Sequence, residues 1–246
     1  MDRLASTPPV FAPNQKSTYS NVAFELLGLV LENVTGISYD KLIHQTILDP
    51  IGMTNTSTTT PSHTVMAIPA LDNWWSNDLG VQLPTGGIYS SSSDLSRYLR
   101  YILSHYNSLA GINWFGGVSW SGSESSFYGI PWEIFRTSKI LSPISKPTTF
   151  ITKGGSLPGY YSHIIMLPDY DLGVTILVAG QQALLAELRE EVTVPIVRAV
   201  DAAIAKDIDK RYSGSYGMFR RAFPEKKKLF THFHPILPAT LHGFQF

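Results

Sequence analysis

The sequence predicts an α+β fold, an antiparallel sheet flanked by helices, on three observations. Apolar residues recur at helical spacing in several stretches, runs rich in β-branched and aromatic residues cluster between 150 and 178, and the composition suits a packed interior. Of 246 residues, 43% are hydrophobic and only 15% charged, which is too apolar for a disordered chain and sufficient for a sizeable core. No internal repeat is visible, and one domain is enough to house this length.

Each element has its own signal. Val22, Leu26, Leu29 and Val30 lie at helical spacing, and Gly36 supplies a C-cap. Ser38 is the natural N-cap of a second helix, with Leu42, Ile43 and Ile47 on its apolar side and Pro50 as its stop. Residues 54–64 read as a Ser/Thr/Pro loop. A further loop, 86–93, leads through Ser93 and Asp94 into a helix with Leu95, Tyr98, Leu99, Ile102 and Leu103 on one side. The centre, 111–149, is rich in Gly, Ser, Pro and aromatic residues, and no element is assigned to it. Strands follow at 150–153, 160–167 and 174–178, the last two joined by the turn Pro168-Asp-Tyr-Asp171. A helix from Ala183 to about Ala205 closes the domain.

Charge and cysteine content exclude several functions. Nineteen Lys and Arg balance nineteen Asp and Glu, so the molecule has no electrostatic reason to seek nucleic acid or an anionic membrane. Without cysteine there is no disulfide, no thiolate zinc site and no Cys nucleophile. The apolar stretches 24–31 and 173–180 are too short to span a bilayer, and the start MDRLASTPPV lacks the apolar region of a secretory signal. The chain as written reads as soluble and without an address, although Asn33-Val-Thr35 and Asn55-Thr-Ser57 are glycosylation sequons of the kind a secreted parent carries.

The end of the chain differs in kind. Residues 217–246 carry Arg220, Arg221, Lys226, Lys227 and Lys228 against Glu225 alone, and Pro224, Pro235 and Pro238 interrupt any helical pattern. His232 and His234 would share a strand face, but no third ligand is placed near them, so no metal and no cofactor is assigned. The expected division is a domain at 1–211 and, at 212–246, a truncated accessory region or poorly ordered basic tail.

Two short constellations can carry chemistry. Tyr19-Ser20-Asn21 stands just before the first amphipathic helix, where Asn or Ser commonly caps and Tyr supplies an apolar contact. Lys153-Gly154-Gly155-Ser156 ends a predicted strand, where paired glycines usually mean a turn or bulge. Taken singly, each has a structural explanation.

Together, in this order, they resemble the serine β-lactamase and penicillin-binding-protein family, in its branch that uses Tyr-x-Asn. The resemblance runs from about Phe11 to Tyr216 and includes PVFAPNQKSTYSN, the helix pair ending in Pro50-Ile-Gly-Met53 and Thr56, GGIYSSSSDL and KGGSLPGYYSHIIMLPDYDLGVTILVAG. It implies a β-lactamase/transpeptidase-like fold whose N-terminal part is missing here. By position, Tyr19 resembles the family's phenolic general base and Asn21 its substrate-orienting amide. Lys153, Gly154 and Gly155 match the Lys-Thr-Gly motif with Gly in the middle place, and Ser156 would lend its backbone N–H.

The implied reaction is attack of a serine on an amide or ester carbonyl, followed by hydrolysis of the acyl-enzyme. A phenol is a weak acid of pKa near ~10, and bringing it to about 7 requires roughly 4 kcal/mol of preferential stabilisation of the phenolate. Lys153 and a second lysine together would supply that. Gly154 and Gly155 let the strand edge approach substrate, and the Ser156 N–H would be one oxyanion donor, a contact worth ~3 kcal/mol.

The family places the nucleophilic serine and second lysine in a Ser-x-x-Lys motif upstream of Tyr-x-Asn. None of the eighteen residues before Tyr19 spells it. The single match, Ser38-Tyr-Asp-Lys41, follows the Tyr motif and reads as a helix start rather than a nucleophile. Loss of a catalytic serine costs on the order of a million-fold in turnover, so the expectation is a partial serine hydrolase, a fragment or pseudoenzyme, inactive as written. The alternative is a non-catalytic binding or scaffold protein that keeps the cleft. The implied partner is a small-molecule or peptide substrate with an amide or ester carbonyl. Specificity would lie in loops 68–85 and 111–135, where Trp74, Trp75, Trp114, Trp120 and Trp132 gather. These are read as packing residues rather than a sugar platform.

Overall fold

The computed structural model describes residues 5–61, 74–106, 114–141 and 147–214. Six strands form one sheet in sequence order, each antiparallel to the next: β1 (Ser119–Ser123), β2 (Ser126–Tyr128), β3 (Glu133–Thr137), β4 (Thr148–Leu157), β5 (Tyr160–Leu167) and β6 (Leu172–Ala179). The helices are α1 (Asn21–Thr35), α2 (Tyr39–Ile43), α3 (Asp49–Ile51), α4 (Leu83–Gly86), α5 (Ser92–His105) and α6 (Ala183–Tyr212).

Alternation along the strands builds two cores. Ile134, Ile151 and Met166 point to one face, where Leu99 and Ile102 of α5 meet them together with Trp132. Phe150, Ile165, Leu167, Val174, Ile176 and Val178 point to the other, against Val197 of α6. A Cβ at Gly173 would lie 3.1 Å from Leu99 Cβ, so glycine there lets α5 come down onto β6. The three strands expected at 150–178 are present, β5 with the expected bounds and β4 and β6 longer than the sequence indicated. The central segment holds a further three, against expectation. In that Ser- and Gly-rich run, cross-strand pairing of Trp120 with Phe127, ring centroids 4.6 Å apart, supplies the contact that an apolar run supplies elsewhere.

Helix boundaries also differ from those expected. The N-cap of α5 is Ser91 rather than Ser93, its Oγ accepting from the Asp94 N–H at 3.2 Å. Asp94 sits fully buried one turn in, accepting from Asn55 N–H (2.7 Å), Thr56 Oγ1 (2.8 Å) and Arg97 Nη1 (2.7 Å), and so ties the 54–58 loop to the helix. The second helical segment is not continuous: a π-helical turn, His44–Leu48, separates α2 from α3. Pro50 lies in the first turn of α3, where its missing N–H costs nothing, and Gly52 at φ 74° ends it. Helix α6 runs past the expected end to Tyr212 with Pro195 inside it.

Helix α1 is capped as its sequence predicts, by Ser20 Oγ on the Ala23 N–H (3.3 Å) and by Gly36 at φ 72°. Its burial only partly follows its apolar residues, of which Phe24 and Leu26 are half-buried. Glu25, Gly28 and Glu32 turn toward Tyr39, Val81 and Pro84 around a cavity of about 190 Å³, whereas Leu27, Val30 and Val34 are 57%, 56% and 76% exposed. A Cβ on Gly28 would stand 2.3 Å from Pro84 Cγ, which makes this glycine the point of closest approach to α4.

By internal contacts the chain divides into Met1–Lys206 and Asp207–Phe246. The basic tail 217–246, with His232 and His234, lies outside the described residues. Among the described residues no single helix is long and apolar enough to cross a membrane, and no group of three His, Cys, Asp or Glu is placed to hold a metal ion.

Candidate active site

The site is assembled by α1 and β4. Tyr19 precedes the cap of α1, packed on Phe24 with ring centroids 5.7 Å apart. The helix start is held by Thr85 Oγ1 of α4, which donates to the Asn21 carbonyl at 3.0 Å. Asn21 is the first residue of α1, two positions after Tyr19, with its side chain exposed. Tyr19 and Lys153 are 134 positions apart in sequence, yet Lys153 Nζ stands 4.7 Å from the Tyr19 ring centroid. The ammonium donates to Glu133 Oε1 (3.1 Å) and to the Gly154 carbonyl (2.8 Å). These partners orient it over the Tyr19 ring, in a cation–π contact.

Glu133, from β3, had no place in the sequence reading because its whole segment was left unassigned. The available signal was the β-branched and aromatic content of Trp132, Ile134 and Phe135. Its carbonyl also accepts from Thr152 Oγ1 at 2.8 Å, so one residue fixes both the strand and the ammonium next to it.

Strand register leaves one edge of β4 unpaired. Strand β3 pairs with β4 only as far as Thr152, while β5 pairs with it through Leu157. Residues 153–157, including Gly154, Gly155 and Ser156, therefore have one backbone edge without a strand partner among the described residues. A Cβ at Gly155 would lie 2.5 Å from Ser162 Oγ, a contact that the serine relieves by turning its side chain. Gly154 is under no such pressure, its nearest neighbour being 4.0 Å away.

On the paired side of β4, in β5, His163 stands opposite Gly154 and is 9% exposed. Burial holds its pKa below the usual 6.5, with the Arg189 cation acting in the same direction, Glu133 opposing and Lys153 adding a smaller lowering effect.

Ser38 is remote from this assembly. It occupies the N-cap position of α2, beyond the far end of the fifteen-residue α1, a helix about 22 Å long at ~1.5 Å per residue. Its hydroxyl makes no capping bond. Glu32 Oε1 instead accepts from the Tyr39 N–H at 2.7 Å, doing the cap's work from the preceding helix.

Comparison with known proteins agrees with this architecture. A family model described as Beta-lactamase matches residues 1–193. The chain is 37% identical over 213 residues to the probable hydrolase clz13 of Cochliobolus lunatus, covering 87% of this chain and 35% of that protein. It is 31% identical over 231 residues to a β-lactamase-like protein of Arthroderma benhamiae, covering 92% and 38%. Among solved structures, a β-lactamase/D-alanine carboxypeptidase from Pseudomonas syringae superposes with TM-score 0.57 at 18% identity, over 73% of this chain and 59% of that one. A class C β-lactamase in complex with cefoxitin gives TM-score 0.56 at 21% identity over the same shares. The chain thus spans little more than a third of the length of these curated relatives.

Proposed function

Since the chain belongs to the serine β-lactamase and penicillin-binding-protein family, we propose that the Tyr19–Lys153 assembly is the proton-handling and carbonyl-binding side of a serine hydrolase centre for small amides or esters. The observation that carries this reading is the 4.7 Å approach of Lys153 Nζ to the Tyr19 ring. In the proposed reaction the Tyr19 phenolate takes the proton of an attacking serine hydroxyl and returns it to the leaving amine or alcohol. Lys153 stabilises the phenolate, and the Ser156 N–H, on the unpaired edge of β4, donates to the oxyanion. Asn21 orients the substrate. Gly154 and Gly155 keep the edge open to it.

Supplying the nucleophile falls to a Ser-x-x-Lys pair, and the match in this sequence, Ser38-Tyr-Asp-Lys41, stands at the other end of α1 from Tyr19. We infer that the polypeptide of this length turns over no substrate by itself. Incubated with a chromogenic β-lactam, a short-chain ester and a fluorophosphonate probe, it is expected to be silent, whereas a polypeptide extended upstream to include a Ser-x-x-Lys helix gains at least one activity. In the extended protein, Tyr19→Phe should lower turnover about a hundred-fold or more, the contribution of a general base. Stoichiometric labelling of the short chain at Ser38, abolished by Ser38→Ala, would overturn the inference. A folded but silent extended protein would leave ligand binding in the cleft as the better account.

A further inference from the structure

Two tripeptides carry a signal that the chemistry above does not use. Asn33-Val34-Thr35 and Asn55-Thr56-Ser57 have the asparagine-x-hydroxyl pattern of N-linked glycan acceptors, with no proline in the middle place. A three-residue pattern also arises by chance, so two physical conditions decide whether it is used. The folded molecule must leave room for the sugar, and the segment must still be open when the chain enters a secretory lumen.

Room is present at both positions. Asn33 is exposed in the last turn of α1, and Thr35 ends that helix, also exposed, with Gly36 at φ 72° turning the chain away. In the 53–58 loop the alternate side chains point inward: Met53, Thr56 and Thr58 are 5%, 6% and 8% exposed, which leaves Asn55 facing outward. Asn55 holds the loop through its backbone N–H, which donates to Asp94 Oδ2 at 2.7 Å, and not through its side-chain amide. A sugar on that amide nitrogen therefore leaves the loop's tie to Asp94 in place. Asn33 stands twelve residues along α1 from Asn21, about 18 Å at ~1.5 Å per residue, so a sugar there does not crowd Tyr19.

The restraints on both segments also form late. Synthesis runs from the N-terminus, and a helix of fifteen residues is marginal in water until something packs on it. Pro84, which closes on Gly28 of α1, is 56 positions downstream of it. The 55–57 segment waits longer still for its own partners: Ser57 exchanges backbone hydrogen bonds with Tyr89 at 2.9 and 2.7 Å, and Asp94 is 39 positions beyond Asn55. Each acceptor therefore emerges before the contacts that would fix it.

We propose that Asn33 and Asn55 are N-glycosylation sites, modified whenever the chain passes through a secretory lumen. The co-reactant is a lipid-pyrophosphate-linked oligosaccharide. The side-chain amide nitrogen bonds to C1 of its first sugar, the bond from C1 to the pyrophosphate oxygen breaks, and the nitrogen gives up one proton to base as the lipid pyrophosphate departs. Nothing is oxidised or reduced.

The test expresses the full chain behind a cleavable secretion leader in yeast and weighs the exported protein before and after endoglycosidase treatment. Digestion should remove two oligosaccharides from the wild-type chain and one from either Asn33→Gln or Asn55→Gln. Thr35→Ser should keep both sugars, whereas Thr35→Ala should lose the one at Asn33 although the asparagine remains. Exported protein bare at both positions overturns the proposal, and a sugar at one position alone overturns it for the other. Sugar confined to chains retained in the cell, with exported molecules bare, also overturns it, because the fold would then reject the modification. Translation of the same leader-bearing chain into microsomes reads the transfer without export: two stepwise shifts of the protease-protected chain support both sites, and no shift overturns them.

Discussion

The six-stranded sheet and helix α1 dispose of their apolar residues differently within one unit. Both faces of the sheet are covered, by α5 and α6, and Ile151, Ile165, Met166 and Leu167 are at most 1% exposed. Helix α1 keeps two glutamates against its neighbours and offers Leu27, Val30, Leu31 and Val34 to solvent. An apolar helix face of this length is ordinarily an interface, since it burdens a free surface with apolar area that water does not favour. The contrast teaches which half of the unit is self-sufficient. It also locates Tyr19 on the less supported half and Lys153 on the better supported one, so the site straddles both.

The largest expected effect breaks the supported half. Ile165 is 1% exposed at the centre of the sheet, and Ile165→Ala should cost about 2–5 kcal/mol through lost burial and a residual cavity. Urea denaturation measures this directly. A loss below about 1 kcal/mol would mean that the sheet core is loosely packed and that the contrast with α1 is false.

A smaller effect, confined to acid, comes from His163 on the same sheet. Its neutral ring is buried opposite Gly154 and Ile176, with Arg189 as the foremost charged contributor. The unfolded chain takes up the proton near pH 6.5, while the folded imidazole resists it to lower pH. Stability due to neutral His163 is therefore whole above pH 6.5 and is lost as pH falls through the folded value. Thermal denaturation from pH 8 to 4.5 should show this acid limb in the wild-type chain and a shallower one in His163→Phe. Identical limbs would place the acid sensitivity elsewhere.

What the sequence made legible follows the same division. The strands of 150–178 announced themselves because their apolar alternation is the packing itself, with one set of residues for each face. Strands β1 to β3 did not, because at the sheet's edge Ser119, Ser121 and Ser123 hold alternate positions that no core demands, and only the Trp120–Phe127 pair marks the register. The start of α5 was misplaced by two residues because each serine of Ser90–Ser93 can cap a helix. The burial of Asp94 chooses among them, and burial is a tertiary fact. Tyr19 and Lys153 entered the reading through resemblance, since no local pattern links residues so far apart. Glu133, which orients the ammonium, was hidden with its strand. The roles of Asn21 and Ser156 remain with the proposal, to be tested by turnover.

The smallest effect is expected where the apolar residues are most visible. Leu27 and Val30 are 57% and 56% exposed, so replacing either by lysine removes little buried area and meets no enclosing neighbour. Leu27→Lys and Val30→Lys should change the stability of this chain by no more than about 0.5 kcal/mol, the range of ordinary surface substitutions. They should also reduce self-association seen by light scattering, because each interrupts the apolar stripe. The comparison sharpens when the same substitutions are made in a polypeptide extended toward the length of the curated relatives. If the added segment covers the outward face of α1, the lysine must be buried without a partner or the segment displaced, and the cost rises to several kcal/mol. Equal tolerance in the short and extended polypeptides would show that this face stays open to water in both, and that the exposed apolar stripe of α1 serves something other than completing the fold around Tyr19.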